Sequence, residues 1–460
     1  MKNLQSAKSL QTCEKVPFEV YVHVPFCLRR CGYCDFNTYA VRGSRFGTIL
    51  ENYADEAIRE MELVKKWQDE CSISEPCASS VFFGGGTPSI LSAEDLIRML
   101  EAVKRLWGLQ KDAEITTEAN PDTADDDFIR KLANGGFTRI SFGMQSALPS
   151  VLAVLDRTHK PENVFRCVKT AEKCGLRTSV DLIYGAPGES LNDWEMSVRA
   201  AIGTGVKHIS AYALTVSDSC KMGKLIAAGK LERIDEDLQA EKYALADSLF
   251  SQAGFEWYEV SNWSVKGFES KHNAGYWRNV DWAGIGPGAH SHYALADDYD
   301  FAAIKRMSEA SLSEANLSET DSAELNAPEK SVSEKNASEE FSSLRAWDLL
   351  HPKKWAEKIN QNKIPWEGGE YIDSASENEE KIMLSVRTRE GLAIDDLKKM
   401  VSNSDFEGVI NAAKPDKIGE LVSSLEKDGL STVQNGRIVA TLRGRLLNDA
   451  IIRRILNIAE

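Results

Sequence analysis

Between residue 20 and about residue 216, short apolar runs alternate with longer stretches of helical spacing, and this alternation limits the fold more than any other feature. The runs are "EVYVHVPF" (19–26), "SSVFFGGGT" (79–87), "AEITTEA" (113–119), "TRISFGMQS" (138–146), "RTSVDLIYG" (177–185) and "KHISAYALTV" (207–216). Between them lie segments such as 50–67 and 92–108, whose apolar residues recur at helical intervals; Ser92 followed by Asp95 reads as a helix cap with an acidic first turn. Six strand–helix units in succession require parallel strands joined by helical crossovers. Periodicity alone fits an open twisted sheet as well as a complete or partial barrel. The residues able to do chemistry favour the barrel, because Gly84, Gly85, Gly86, Glu118, Gln145, Asp181 and Tyr212 all fall at or near the C-terminal ends of their strands. Parallel α/β folds place their sites on that rim.

The loop after the first run carries three cysteines close together, Cys27, Cys31 and Cys34, in "VHVPFCLRRCGYCDFNTY". A structural zinc site needs four ligands, and His23, in the strand run, is the only nearby candidate for the fourth. There is no second Cys-x-x-Cys elsewhere in the chain. A [4Fe–4S] cluster with three protein thiolates instead leaves one iron open, as a site that binds and activates a small molecule requires. The other six cysteines, Cys13, Cys71, Cys77, Cys167, Cys174 and Cys220, are scattered, so reduced thiols with one specialised group are expected rather than a disulfide framework.

Composition narrows the partners. A net charge of −15 disfavours nucleic-acid binding through phosphate neutralisation. About half of that charge is local, since residues 307–340 hold nine Asp/Glu against two Lys. Neither a signal-peptide pattern nor a run near the ~20 apolar residues of a membrane span is present, so the cytoplasm is the expected compartment. The 460 residues divide into an N-terminal extension (1–18), a barrel with its closing segment (19–300), a Ser/Glu-rich insertion expected to be disordered (301–343) and a C-terminal helical domain (344–460). From about Asn378 a helix, a strand, an Asn435-Gly436 turn, a strand and a helix give a winged-helix-like order, without the basic excess of a DNA-binding module.

Cys-x3-Cys-x2-Cys after the first strand of a parallel α/β unit resembles the radical S-adenosylmethionine superfamily. The resemblance implies a partial (β/α)6-type parallel barrel with a C-terminal winged-helix-like α+β domain. It also implies a [4Fe–4S] cluster on Cys27, Cys31 and Cys34, with S-adenosylmethionine chelating the open iron. "GGGTPS" (84–89), containing Gly85, Gly86 and Thr87, is then assigned to the methionyl ammonium group, and Glu118 to the ribose diol. Gln145, Arg157 and Asp181 match further cofactor contacts, while Tyr21, Tyr33 and Ala213 match positions around the nucleoside. Glycines of this kind let backbone approach a ligand closely; a phosphate loop would add a Lys-Ser/Thr that is missing here.

Longer phrases, "YVHVPFC", "YCDFN", "EANPD", "SFGMQS", "VDLIYGAPG" and "HNAGYWRNVDWAGIGPGAHS", are similar to the group that holds the oxygen-independent coproporphyrinogen III oxidase and a heme chaperone. The oxidase branch carries a further cysteine two residues after the third, where this chain has Phe36, and a longer N-terminal extension. Both departures imply the chaperone branch: heme as cargo, a heme-acceptor protein of respiratory, membrane-associated type, an electron donor for the cluster, and no coproporphyrinogen oxidation. The oxidase remains the alternative. Heme needs an apolar slot and an axial ligand, and the aromatic, glycine-rich stretch with His272, His290 and His292 is where to look for both.

Overall fold

The structure, a computed structural model, describes residues 16–41, 47–295, 341–402 and 415–458. Its centre is six parallel strands: β1 (Phe18–Val24), β2 (Ala78–Gly85), β3 (Leu109–Ala119), β4 (Arg139–Gln145), β5 (Arg177–Tyr184) and β6 (His208–Ala213). They lie side by side in chain order, as right-handed crossovers through packed helices produce. Strand β1 illustrates how the sequence specifies this. Phe18, Val20, Val22 and Val24 are fully buried against the helical layer, while Glu19, Tyr21 and His23 point the other way, into the lumen. The crossover helix Ala93–Leu106 begins as its sequence suggests, with the Ser92 hydroxyl accepting from the Asp95 amide and Glu94 and Asp95 in its first turn.

Four later strands and two short ones extend this unit. After β7 (Glu256–Glu259) and β8 (Asn262–Ser264), the aromatic stretch supplies β9 (Asp281–Ile285) and β10 (His290–Ala294), followed by β11 (Ser343–Asp348) and β12 (Trp366–Ile372). The sheet order is β12-β11-β10-β9-β1-β2-β3-β4-β5-β6-β8-β7. Strand β1 pairs on its outer side with β9, in parallel, and β6 pairs with β8, antiparallel. The six-stranded unit is therefore a partial barrel, and the concave face of β1 continues onto β9, β10 and β11. Residues 281–285, inside the stretch 19–300 expected to hold the barrel and its closing segment, form β9 and widen the sheet beside β1.

The Ser/Glu-rich stretch lies outside the described residues as far as residue 340, and Ser343 already opens β11. Strands β11 and β12 belong to the large sheet, with the helix Pro352–Asn360 between them. A second hydrophobic core, from Ile382 to Ile458, holds helices and a small sheet of Leu392–Ala393, Ser431–Gln434 and Arg437–Ala440, the last two joined by the Asn435-Gly436 turn. No helix among the described residues is long and apolar enough to cross a membrane.

Candidate functional site

The thiol loop is clamped from several sides. Cys27 closes the two-residue strand Phe26–Cys27, which pairs with Tyr39–Ala40, and the amide of Cys34 donates to Cys31 O at 3.3 Å. Thr87 N–H donates to Phe26 O (2.8 Å), Met222 N–H to Gly32 O (2.8 Å), and the Asn37 amide to Pro287 O (2.8 Å) and Leu350 O (2.9 Å). Asp156 takes both Arg29 of the loop and Lys221. All three thiols are half-buried, so a ligand reaches them without unfolding the loop.

Each sulfur has a polar neighbour. The Thr87 hydroxyl donates to Cys27 Sγ at 3.4 Å, Arg157 Nη1 to Cys31 Sγ at 3.6 Å, and Thr38 Oγ1 lies 3.6 Å from Cys34 Sγ. Burial pushes the Cys27 thiol up to about 11, against the pull of the Thr87 hydroxyl and the Arg157 guanidinium. Tyr33 stands beside Cys31, Cys34 and Arg157, its phenol held neutral by burial. Among the described residues no three His, Cys, Asp or Glu side chains gather as they would around a single metal ion. A polynuclear cluster takes its thiolates at separate corners and needs no such gathering.

Next to the thiols is the glycine turn. Gly86 N–H donates to Val24 O at 2.8 Å, and a Cβ on Gly86 would come within 2.7 Å of Val24 O and Phe26 O, so only glycine lets the turn sit this close to the cysteine loop. Gly85 has φ +104°, and its missing Cβ leaves room for the His23 ring. That ring is a pillar between the two loops. Its Nε2 lies 3.0 Å from Asn37 O, a carbonyl that can only accept, so Nε2 carries the proton and Nδ1 accepts from Tyr21 OH at 2.9 Å. His23 is thus committed, and it supplies no fourth ligand to the cysteines.

The remaining candidates line the same rim. Glu118 Oε2 accepts from Gly85 N–H at 3.2 Å, and burial together with the neighbouring Asp181 carboxylate raises its pKa to about 8. Asp181 is also raised by burial, against hydrogen bonds from Ser141 (2.9 Å) and Ser210. Gln145 ends β4 with φ +60°, and its amide and the Arg157 guanidinium flank Gly143, whose carbonyl accepts from Arg157 Nη2 at 3.1 Å. Ala213 lies exposed at the end of β6, with no polar contribution of its own. The structure therefore brings together Cys27 with Thr87, Cys31 with Arg157, Tyr33 and Gln145, and Gly85 with Glu118 and Asp181.

The three histidines separate. His272 is 1% exposed in the lumen, with Nδ1 2.7 Å from Ser80 Oγ and Nε2 3.0 Å from Tyr276 OH, and burial pushes its pKa down to about 3. His292 is enclosed too, stacked on Trp282 and 3.4 Å from Asp281. Only His290 of the three presents its ring to solvent. The sequence reading did not single out Asn37, Lys242 or Glu189. Lys242 and Glu189, both fully enclosed, pair at 2.8 Å beneath the loop that follows β5. Neither sits in a motif-like spacing with its partner, so nothing in the linear pattern marks them.

Known proteins place this arrangement. The profile of the radical SAM superfamily matches residues 21–201, and that of the HemN C-terminal domain matches residues 374–447. The heme chaperone HemW of Mycobacterium tuberculosis is 36% identical over 442 residues, spanning 96% of this chain and 95% of that protein. HemW of Escherichia coli is 33% identical over 282 residues, 61% of this chain and 71% of that one. Among solved structures, coproporphyrinogen III oxidase (HemN) from Escherichia coli, a radical SAM enzyme, aligns with a TM-score of 0.70 at 18% identity, covering 97% of this chain and 90% of its own. At that identity the likeness speaks for the fold alone. Together these matches imply a [4Fe–4S] cluster and S-adenosylmethionine, and with the full-length identity to the first relative they establish that this chain belongs to the heme chaperone HemW family of the radical SAM superfamily.

Proposed function

We propose that this protein binds heme and hands it to acceptor proteins, and that Cys27, Cys31 and Cys34 hold a [4Fe–4S] cluster whose fourth iron takes S-adenosylmethionine. The observation that carries the reading is the residue two positions past Cys34. It is Phe36, 63% exposed, where the oxidase branch has a cysteine, in a chain 36% identical to a heme chaperone over 96% of its length. When bound, the cluster and S-adenosylmethionine supply one-electron chemistry at that iron. The chain's own residues do the holding: Thr87 and Arg157 donate to the sulfurs of Cys27 and Cys31, the turn at Gly85 and Gly86 offers backbone at close range, and Glu118 offers a carboxylate to paired hydroxyls. An electron donor for the cluster and a heme acceptor complete the set of partners. Anaerobically reconstituted protein is expected to bind hemin while converting no coproporphyrinogen III to protoporphyrinogen IX; clear conversion would establish the oxidase instead.

The Glu118 assignment has a pH signature. A ribose diol donates two hydrogen bonds, which an ionised carboxylate accepts better than a neutral carboxyl, and burial beside Asp181 raises the pKa of Glu118 to about 8. Binding of S-adenosylmethionine near pH 7 should release a proton, and affinity should rise with pH by up to about tenfold per unit until that value is passed. Calorimetry in two buffers of different ionisation enthalpy measures the release. Glu118→Gln should bind more weakly and with a flat profile, and a flat profile in the unaltered protein would remove Glu118 from this role.

A further inference from the structure

Glu60 and Asp348 are sealed in the core with no cation to balance them. Glu60 comes from the helix Gly47–Glu70 and Asp348 ends β11; they are 0% and 1% exposed, and their carboxyls face each other within hydrogen-bond reach. Glu60 Oε2 accepts from Gly286 N–H at 2.7 Å and from Trp355 Nε1 at 3.0 Å. Glu60 Oε1 and both oxygens of Asp348 meet no donor. Among the described residues no Lys, Arg or His pairs with either group. The titratable groups facing them are Tyr53, on the same helix, and Tyr293, on β10, with Glu75 and Asp281 beyond Tyr293; burial holds both phenols neutral. Two carboxylates in a dry site do not both ionise at neutral pH, whereas one proton between them supplies the missing donor and halves the buried charge. Burial raises both pKa values, and Glu60 raises that of Asp348 further.

Each carboxyl holds one of the two segments that support the cysteine loop. Gly286, the donor to Glu60, precedes Pro287, whose carbonyl accepts from the Asn37 amide at 2.8 Å. Asp348 lies two residues before Leu350, whose carbonyl accepts from the same amide at 2.9 Å and from Tyr39 OH at 3.1 Å. Between the carboxyls and Asn37 the segments are tied together, since Asp348 N–H donates to Ala289 O at 2.9 Å and Gly288 N–H to Leu349 O at 3.1 Å. Asn37 stands three residues past Cys34. Gly286 also lies against the strand that leads into the loop. Its φ is +103°, a Cβ there would come within 2.5 Å of His23 O, and that carbonyl accepts from Tyr53 OH at 2.7 Å.

We propose that Glu60 and Asp348 share one proton, and that this clasp positions the cysteine loop by holding segments 286–289 and 348–350 together beneath Asn37. Both are positioning residues, acting through Asn37 and Tyr39 rather than on a thiol. The claim goes beyond the heme-chaperone reading and does not depend on it, because the loop must be held whatever it carries. Linkage fixes the sign. Both carboxyls are ionised at neutral pH in the unfolded chain, so the fold keeps one proton more than the unfolded chain does. Stability therefore falls as pH rises through the neutral range, the pair alone changing the folding constant by up to about tenfold per pH unit.

Urea denaturation and amide hydrogen exchange of the full-length protein, purified without cluster and compared between pH 6 and pH 8, test it. In the unaltered protein the protection of residues 26–41, corrected for intrinsic exchange, should fall across that range. Asp348→Asn and Glu60→Gln carry the donor permanently as an amide. Each should flatten the stability slope by up to about tenfold in the folding constant per pH unit and keep residues 26–41 equally protected at both ends. A slope as steep in both amide variants as in the unaltered protein overturns the shared proton. A flattened slope with unchanged pH dependence of protection at residues 26–41 overturns the positioning role. Stability that rises with pH and drops on addition of EDTA would put a cation between the carboxylates, which also overturns it. So does failure of both amide variants to fold, since an amide makes the bond that the shared proton makes. Hemin binding is read in none of these arms, so their failure leaves the heme-chaperone reading standing.

Discussion

Cys31→Ala, reconstituted anaerobically, is expected to lose its brown absorbance and its cluster iron and sulfide, and Cys27→Ala and Cys34→Ala should behave alike. Three thiolates on one loop are a chelate. With one removed, two remain for four irons, and among the described residues the loop holds no other thiol. Cys71, Cys167 and Cys220 are buried in the packing and Cys77 and Cys174 lie on other elements, so Cys174→Ala should keep the cluster. The neighbours of the sulfurs set the scale for a lesser effect. Thr87→Ala deletes only the hydroxyl that donates to Cys27, and changes of that kind around a metal site cost about tenfold to a hundredfold in affinity. Cluster iron and sulfide analysis should therefore rank Cys31→Ala far below Thr87→Ala, and Thr87→Ala below Cys174→Ala. Equal iron in Cys31→Ala and the unaltered protein would end the three-cysteine assignment.

The sequence disclosed those parts of the fold whose cause is local. Alternation of Phe18, Val20, Val22 and Val24 with Glu19, Tyr21 and His23 declares a strand with two unlike faces, and six such runs with helices between them leave few topologies open. The glycine turn was legible for the same reason: at Gly86 the clash of any side chain with Val24 O and Phe26 O is a fact about neighbouring residues in one loop system. What stayed hidden depends on distant segments. Strands β9 to β12 are short, β9 and β12 are interrupted by glycine, and they find their partners only because β1 has a free edge. Asn37 reaches Pro287 and Leu350, about 250 and 310 positions away along the chain, which no spacing rule reports. His272 read as a ligand candidate because a histidine among aromatics looks the same in sequence whether its nitrogens are free or, as here, both engaged.

The pair of Lys242 and Glu189 offers the largest stability effect, and its sign with pH can be worked out beforehand. Lys242, on the helix Glu236–Gln252, donates to Glu189 Oε2 at 2.8 Å and to Glu189 O at 2.6 Å, while Glu189 Oε2 also accepts from Gly185 N–H at 2.8 Å. The same helix holds the strand exit through Gln239, which donates to Leu214 O at 2.9 Å. Lys242→Met keeps the volume but leaves a carboxyl with no ammonium in a site closed to water, a loss of about 3–5 kcal/mol. Burial already raises the pKa of Glu189 with Lys242 present, so without it the carboxyl will hold its proton to still higher pH. A group that keeps its proton in the folded state and loses it on unfolding makes stability fall as pH rises between the two pKa values. The deficit of Lys242→Met should therefore be larger at pH 8 than at pH 5.5 in urea denaturation, and Lys242→Met combined with Glu189→Gln should recover much of it. The loop it anchors follows β5, the strand that carries Asp181, so S-adenosylmethionine affinity should drop in the single variant and return in the double one. A deficit under about 1 kcal/mol, equal at both pH values, would mean that water or a shifted side chain takes the place of the ammonium, and the pair would then be incidental to the site.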